Sequence, residues 1–191
     1  MYSKVTSGRP VLNDPLSMND NNNWTVNELY QGSCAFTQGA IHVKVSHVSY
    51  FHTCVAQASN FSNFAYQVQL TIIKGDAGGL TFRARDTNSN TPSRLDFGID
   101  QAGYYSLLVL SQGNIRTVLL QRPGPEIKAG LGQTNLLTVI AQGSNIYLYV
   151  NKHYVASISD NTSSSGAIGV FAADITEPTE VVFSNAQVWN L

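Results

Sequence analysis

The sequence predicts an all-β fold in which two antiparallel sheets pack face to face as a jelly-roll sandwich. Apolar and polar residues alternate with a period of two in many short segments, and turn-forming residues separate these segments at hairpin-like spacing. No longer stretch shows the 3.6-residue periodicity of an amphipathic helix. A chain of 191 residues is also long enough for one such domain to bury a sizeable core.

The alternating segments run along the whole chain. In chain order they are residues 41–46, 66–72, 80–85 and 146–151, followed by a strand-like run at 181–189. A period of two places one face of each strand in a core and the other face toward solvent. Trp24 and Trp189 lie near the two ends of this series, and we predict that both are core residues connecting the first and last strands.

Gly, Asn, Asp, Ser and Pro mark the turns between strands. These turns are predicted at residues 74–79, 100–103, 111–114, 122–125, 142–145 and 163–166. Because strands do not alternate with helices, a parallel α/β sheet is excluded. No internal repeat of the kind that builds propellers or solenoids is visible. We predict a flexible N-terminal segment at residues 1–10 and a single sandwich domain at residues 11–191.

The composition gives a neutral, polar exterior. There are 11 Lys and Arg against 12 Asp and Glu, only 12% of residues are charged, and 61 residues are Ser, Thr, Asn or Gln. Without a basic excess to displace counterions, nucleic-acid binding through phosphates is excluded. No apolar run is long enough to span a bilayer, and no signal-peptide core is visible at the start of this chain. We expect an extracytoplasmic or secreted protein.

The two cysteines, Cys34 and Cys54, each lie beside a strand-like run. A bridge between them would close a loop of about 20 residues, which contributes about 3 kcal/mol in the chain-entropy model. The alternatives are two free, partly buried thiols, or a metal site, for which no Cys-x-x-Cys or paired His spacing exists. We predict the disulfide, because an even cysteine count in a neutral, polar chain is typical of an oxidising compartment.

Six segments in a fixed order resemble the concanavalin A-like lectin/glucanase superfamily. They are residues 64–70, 78–84, 135–141, 146–151, 166–171 and 182–189. Within that superfamily, residues 11–191 look most like 3-keto-disaccharide-hydrolase-like domains. The resemblance implies an extracytoplasmic sensor or adhesion domain, of a kind found in larger bacterial proteins that include membrane serine/threonine kinases. This chain itself carries no kinase motif.

The resemblance also raises the question of catalysis. The superfamily's glucanases carry a Glu-x-Asp-x-Glu strand, whereas no predicted strand here has two acidic residues two positions apart. Asp96 and Asp100 come closest, but four residues of strand separate their Cα atoms by about 13 Å. Glycosidases hold their two carboxyls about 5–9.5 Å apart. We therefore predict no catalytic residues, and Asp96 is expected to be solvated or paired with Arg83 or Arg94.

Metal binding is not favoured by the residues. The superfamily resemblance implies that calcium is possible near the chain ends, where Asp14, Asp174 and Asn185 could supply oxygens. No dense acidic loop is present, and the four histidines show no ligand spacing. The sequence thus predicts no metal ligands and no cofactor, with calcium as the one open alternative.

Outward-facing polar and aromatic residues form the candidate ligand site. Stacking surfaces and neutral hydrogen-bonding groups suit a sugar. The candidates are Gln69, Thr81, Arg83, Asp96, Tyr147 and Tyr149, with Gln67 beside them, and they line one concave face if their strands share a sheet. The tyrosines could instead be cross-strand packing residues. A mid-strand Arg83 needs a partner or a ligand if it is buried.

The predicted function is non-catalytic binding of a carbohydrate or cell-wall glycan. One alternative is a glycoside hydrolase of the 3-keto-disaccharide type that uses Asp96 with a loop carboxylate. A second alternative is a protein-interaction or structural domain, which would have an apolar patch elsewhere on its surface.

Overall fold

The computed structural model describes residues 1–85, 92–111 and 115–191, and in these ranges the chain is almost entirely β-structure. One short helix, α1, spans Tyr2–Thr6. The strands are β1 Leu12–Asp14, β2 Asn27–Leu29, β3 Gly32–Thr37, β4 Ala40–Val45, β5 Tyr50–Val55, β6 Phe64–Lys74, β7 Ala77–Arg85, β8 Ser93–Asp100, β9 Tyr104–Ser111, β10 Ile115–Pro123, β11 Thr134–Gln142, β12 Asn145–Val150, β13 His153–Ser159, β14 Ala167–Asp174 and β15 Thr179–Asn190.

The strands form two antiparallel sheets, which confirms the predicted sandwich. The nine-stranded sheet has the order β13-β12-β11-β6-β15-β4-β3-β2, and β1 also pairs with β15. The six-stranded sheet has the order β10-β9-β8-β7-β14-β5. Most strands that are consecutive in sequence and share a sheet form hairpins. At the centre of each sheet, however, β6 pairs with β15 and β7 pairs with β14, so strands distant in sequence are joined there.

The core lies between the sheets and follows the predicted alternation. Phe82 of β7 contacts Phe64 of β6 edge to face at 6.4 Å across the sandwich. The buried hydroxyl of Tyr66 on β6 donates a hydrogen bond to the carbonyl of Gly169 on β14 at 3.0 Å. Apolar burial of this extent is the main stabilising contribution to such a fold.

The predicted disulfide is confirmed and joins the two sheets. Cys34 lies on β3 of the nine-stranded sheet and Cys54 on β5 of the six-stranded sheet, and their Cα atoms are 5.9 Å apart. Both residues are fully buried. Because the sulfurs are bonded to each other, they are not available as metal ligands.

The predicted turns at 100–103, 142–145 and 163–166 fall between strands, whereas β7 begins within 74–79 and β10 extends into 122–125. The turn predicted at 111–114 falls on residues 112–114, which lie outside the described residues. Helix α1 lies within the segment predicted to be flexible, and its mobility stays a prediction. Among the described residues, no helix has the length and hydrophobicity needed to cross a bilayer.

Candidate functional site

The structure divides the predicted ligand-site residues between the two sheets. Gln69 on β6 and the tyrosines of β12 belong to the nine-stranded sheet. Thr81 and Arg83 on β7, with Asp96 on β8, belong to the six-stranded sheet. The six candidates were predicted to line one concave face if their strands shared a sheet. Their strands do not share a sheet, so the candidates do not form one common surface. Alternation along a strand tells which residues share a face of that strand, but it does not tell which sheet the strand joins.

On the nine-stranded sheet, helix α1 and the residues after it cover part of the predicted surface. Tyr149 is only 6% exposed, and the ring of Tyr2 lies 5.6 Å from it. The Tyr2 hydroxyl donates a hydrogen bond to Gln67 at 2.9 Å. Trp189 is buried as predicted, but in a small apolar cluster on the outer face of this sheet, where its indole donates to the carbonyl of Gly8 at 2.8 Å, whereas Trp24 lies in the main core.

Gln69 and Tyr147, the other two candidates on this face, make hydrogen bonds or packing contacts with neighbouring residues of the sheet. The side-chain oxygen of Gln69 accepts hydrogen bonds from Asn185 at 2.8 Å and Ser184 at 3.3 Å. Tyr147 packs beside Tyr149 in the small apolar cluster beneath α1. Such contacts correspond to the cross-strand packing alternative for the tyrosines.

Arg83 is turned away from solvent by a local break in the strand. Its φ of 51° is left-handed and the β7–β8 register shifts between Phe82 and Arg85, so the alternation that predicted an outward side chain fails at this residue. Its guanidinium donates to the carbonyls of Ser62, Gly143 and Ser163 at 2.6–3.0 Å. Arg83 therefore ties three loops together and is only 1% exposed.

Asp96 is held by its neighbours and is not solvated. The Thr81 hydroxyl donates to one carboxylate oxygen at 2.6 Å, and Arg94 Nε donates to both oxygens at 3.0 and 3.1 Å. Asp96 is 1% exposed. Its role is that of an ion-pair partner for Arg94, which is one of the two arginines that the sequence suggested.

A depression opens on the outer face of the six-stranded sheet, and none of the six predicted ligand-site residues lines it. One register row across the sheet runs through Phe171, Gly79, Gly98 and Ser106. A Cβ atom added at Gly98 would lie 2.8 Å from the Phe171 ring, so the absence of a side chain lets this ring lie low on the sheet. Glycine within a strand commonly marks such a close approach.

Small residues form the floor of the depression, and larger side chains form its walls. Its cavity volume is about 180 Å3 and it is open to solvent. The floor includes Ala77, Gly98 and Ser106, one wall includes Phe51 and Ile175, and the other wall includes Tyr104, Val118 and Gln121. The Tyr104 side chain is 45% exposed, which leaves part of its ring accessible.

Neutral polar groups and one carboxylate line the depression. Asp100 is the single charged residue among the described lining residues, and one of its oxygens accepts the Tyr104 backbone N–H at 2.9 Å. The lining therefore combines apolar surface with hydroxyl, amide and carboxylate groups. Of these lining residues, the sequence pattern singled out Asp100 alone, as the carboxylate nearest to Asp96, and Gly79 and Gly98 within strands were the available signal for the others.

The three residues suggested for calcium behave differently. Asp14 accepts hydrogen bonds from Leu16, Asn22 and Trp24 at 2.8–2.9 Å, so its carboxylate is already satisfied. Asn185 donates its amide to Gln69. Asp174 is fully buried, and neither of its oxygens has a hydrogen-bond partner in the described part of the chain. Of the three, Asp174 alone has a carboxylate without a partner among the described residues.

In sequence, the chain matches no family model and no curated protein. Solved structures match it in fold. The carbohydrate-binding module CBM66 from Bacillus subtilis has 20% identity and a TM-score of 0.70, covering 87% of this chain and 95% of that one. A protein of unknown function with a galectin-like fold from Bacillus subtilis has 13% identity and a TM-score of 0.73, covering 96% of both chains.

The beta-glucanase of Bacillus licheniformis has 10% identity and a TM-score of 0.64, covering 94% of this chain and 98% of that one. At these identities the likeness shows the fold alone, which is the jelly-roll sandwich of concanavalin A-like and galectin-like proteins. The narrower resemblance to 3-keto-disaccharide-hydrolase-like domains stays a prediction.

Proposed function

We propose that the chain is a non-catalytic carbohydrate-binding module that holds a neutral glycan in the depression of the six-stranded sheet. The observation that carries this proposal is the depression itself, where the exposed Tyr104 ring stands beside Ser106, Asp100 and Gln121. A sugar presents an apolar C–H face and a rim of hydroxyls, which match an aromatic wall and neutral hydrogen-bonding groups.

The charge of the lining supports a neutral glycan. The cavity volume of about 180 Å3 lies below the range of about 300–1,000 Å3 that is usual for enclosed small-ligand sites, so the depression is a shallow, open site. No Lys, Arg or His belongs to the described lining, so an acidic sugar would find no counter-charge and would face the carboxylate of Asp100. The carbohydrate-binding module and the beta-glucanase of the same fold make glycans the natural ligand class to test.

The carboxylates argue for binding without cleavage. Glycoside hydrolysis uses two carboxyls on either side of the scissile bond. Asp96 is buried in its hydrogen bonds with Arg94 and Thr81, and Asp100 is the one carboxylate in the described lining of the depression. The alternative, a hydrolase of the 3-keto-disaccharide type using Asp96, would require this buried pair to open.

We further propose that the module works outside the cytoplasm, as a sensor or adhesion part of a larger protein such as a membrane serine/threonine kinase. The disulfide supports the oxidising compartment. The kinase context rests on the resemblance of residues 11–191 alone.

The test is titration of the full chain with mixed-linkage β-glucan, laminarin, mannan and xylan by isothermal calorimetry, with chromatography of each mixture after prolonged incubation. We expect saturable heat with at least one polysaccharide and no new oligosaccharides. Absence of heat with every polysaccharide contradicts glycan binding. Release of oligosaccharides that stops in Asp96→Asn or Asp100→Asn contradicts the non-catalytic role.

A further inference from the structure

The buried disulfide has a histidine beside it. His52 lies on β5 two residues before Cys54, and it is buried like both cysteines. Because side chains two positions apart on a strand share a face, His52 and Cys54 both turn toward the interior of the sandwich. One ring nitrogen of His52 and the sulfurs of Cys34 and Cys54 all lie within 4.8 Å of one another. Two sulfurs and an imidazole nitrogen form a donor set that proteins use for zinc.

The hydrogen bonds of His52 fix its ring in a tautomer that suits metal binding. Its Nε2 lies 2.9 Å from Oδ1 of Asn27, and the same Asn27 atom accepts the backbone N–H of Cys34 at 3.2 Å. Because an amide oxygen only accepts hydrogen bonds, Nε2 carries the proton and Nδ1 keeps its lone pair. A histidine that ligates a metal usually donates its other ring N–H to an acceptor of this kind.

The His52 ring packs closely on β3 and is reached from a groove. A Cβ atom added at Gly32 would lie 2.7 Å from Cγ of His52, so the glycine lets the ring lie against the neighbouring strand. The groove has a cavity volume of about 280 Å3, and its lining includes Asn27, His52 and Thr53. It gives a small reductant and a metal ion a path to the His52 side of the cluster.

We propose that the reduced protein binds a zinc ion through Cys34, Cys54 and His52, and that formation of the disulfide excludes the metal. Two molecules of a small thiol supply the two electrons and two protons that cleave the S–S bond, and they leave as their own disulfide. Zinc then displaces the two thiol protons to solvent, and the two thiolates balance its charge. The redox state of the surroundings thus decides whether zinc or a disulfide joins β3 to β5.

The spacing of the two strands suits both states. Zn–S bonds of about 2.3 Å in a tetrahedral site separate two sulfurs by about 3.8 Å. The Cα atoms of Cys34 and Cys54 are 5.9 Å apart, so rotation about the Cα–Cβ bonds can supply this separation without moving either strand. Water fills the fourth position. The site is separate from the proposed glycan site, because Phe51, which lines the depression, points to the opposite face of β5 from His52.

The first test measures zinc affinity by competition with a chromophoric zinc chelator, using the full chain after reduction with a phosphine under anaerobic conditions. We expect the reduced wild type to bind zinc in a one-to-one ratio and the oxidised wild type to bind none. Cys54→Ser should weaken the affinity by about 100-fold or more and His52→Gln by about tenfold or more, since loss of an outer-shell partner alone costs about 10–100-fold. His153→Gln is the matched control, because the His153 side chain is 64% exposed, and it should leave the affinity unchanged.

The second test uses the wild type alone, so it does not depend on the folding of the variants. Cobalt(II) bound in place of zinc should give the thiolate charge-transfer band and the intense visible absorption of a tetrahedral site. Oxidised glutathione should abolish both signals as the disulfide re-forms and cobalt is released. Zinc should also raise the melting temperature of the reduced chain by about 5–10 °C when it reaches about 100 times its Kd.

Three results would overturn the proposal. The first is a reduced wild type that keeps the circular dichroism of β-structure and binds no zinc. The second is a reduced wild type that loses this circular dichroism and does not regain it when zinc is added. The third is a His52→Gln variant that binds zinc as tightly as the wild type.

Discussion

Arg83 and Asp174 are both buried charged residues, but only Arg83 has its hydrogen-bonding needs largely met. Three backbone carbonyls accept hydrogen bonds from its guanidinium, and these carbonyls belong to three separate loops. Burial lowers the pKa of Arg83, and the negative charge of Asp160 partly counteracts that effect. The planar guanidinium can reach several acceptors at once, which a lysine ammonium cannot do in the same geometry.

Arg83→Lys should therefore lower the free energy of unfolding by about 2–3 kcal/mol, because it leaves buried carbonyls without their charged donor. Urea denaturation followed by fluorescence measures this change. Arg85→Lys on the same strand is the matched control, since Arg85 is exposed, and it should have little effect. Equal stability of the two variants would contradict the structural role of Arg83.

Asp174 should make stability depend on pH. Its folded-state pKa is raised above the ordinary value of 3.8, chiefly by burial, so the wild type loses stability as pH rises from about 3.8 through the folded-state pKa. Asp174→Asn removes that penalty. We expect the variant to be more stable than the wild type at neutral pH, because a neutral amide costs less to bury than an ionised carboxylate.

Urea denaturation at several pH values tests this, and the advantage of Asp174→Asn should shrink toward pH 3.8. Glu28→Gln controls for the loss of one negative charge. A variant that is less stable than the wild type at neutral pH would show that the Asp174 charge is compensated in the folded protein.

At the scale of the elements, α1 stabilises the outer face of the nine-stranded sheet. Its Tyr2 ring packs on Tyr149, and the following turn accepts a hydrogen bond from Trp189. Deletion of residues 1–8 should expose this cluster and lower the unfolding free energy by roughly 1–3 kcal/mol. The fluorescence of Trp189 should shift to the red, because its indole gains contact with water.

The same deletion also tests which of the two outer faces binds the glycan. Glycan affinity should be unchanged, because the depression lies on the other sheet. Loss of glycan binding in a deletion variant that still folds would instead place the ligand on the nine-stranded sheet. Tyr2→Phe, which removes only the hydrogen bond to Gln67, is the milder control.

The disulfide is the second element-scale contribution, since it joins β3 to β5 across the sandwich. Replacement of both Cys34 and Cys54 by Ala should cost about 3 kcal/mol, the chain-entropy value for a loop of about 20 residues. Urea denaturation should show a similar loss when the wild type is reduced, and no effect of reductant on the double variant. A double variant as stable as the oxidised wild type would contradict this contribution.

At the scale of the whole molecule, the sequence was sufficient for the fold class but not for the site. Period-two alternation placed Thr81 and Gln69 on outer faces, yet the sheet that each joins depends on long-range pairings such as β6 with β15. The left-handed backbone of Arg83 interrupts its strand and is not visible in an alternation pattern. The depression is formed by residues of several strands that the sheet brings into register, so it cannot be recognised in any single segment of the sequence.

The two outer faces of the sandwich therefore differ, since one is partly covered by α1 and the other is open. The nine-stranded sheet carries the aromatic cluster that packs against α1. The six-stranded sheet carries the open depression, with an exposed Tyr104 at its wall. Tyr154, on β13 of the nine-stranded sheet, is similarly exposed, at 55% against 45% for Tyr104. This pair of tyrosines allows the two faces to be compared by the same substitution.

The most direct measurement is calorimetric affinity for the polysaccharide that binds the wild type, compared between Tyr104→Ala and Tyr154→Ala, with circular dichroism to confirm that both variants fold. Tyr104→Ala should weaken binding about tenfold or more, equivalent to about 1.4 kcal/mol, whereas Tyr154→Ala should leave it within about twofold. Unchanged affinity in Tyr104→Ala together with weakened affinity in Tyr154→Ala would contradict the assignment of the glycan to the six-stranded sheet.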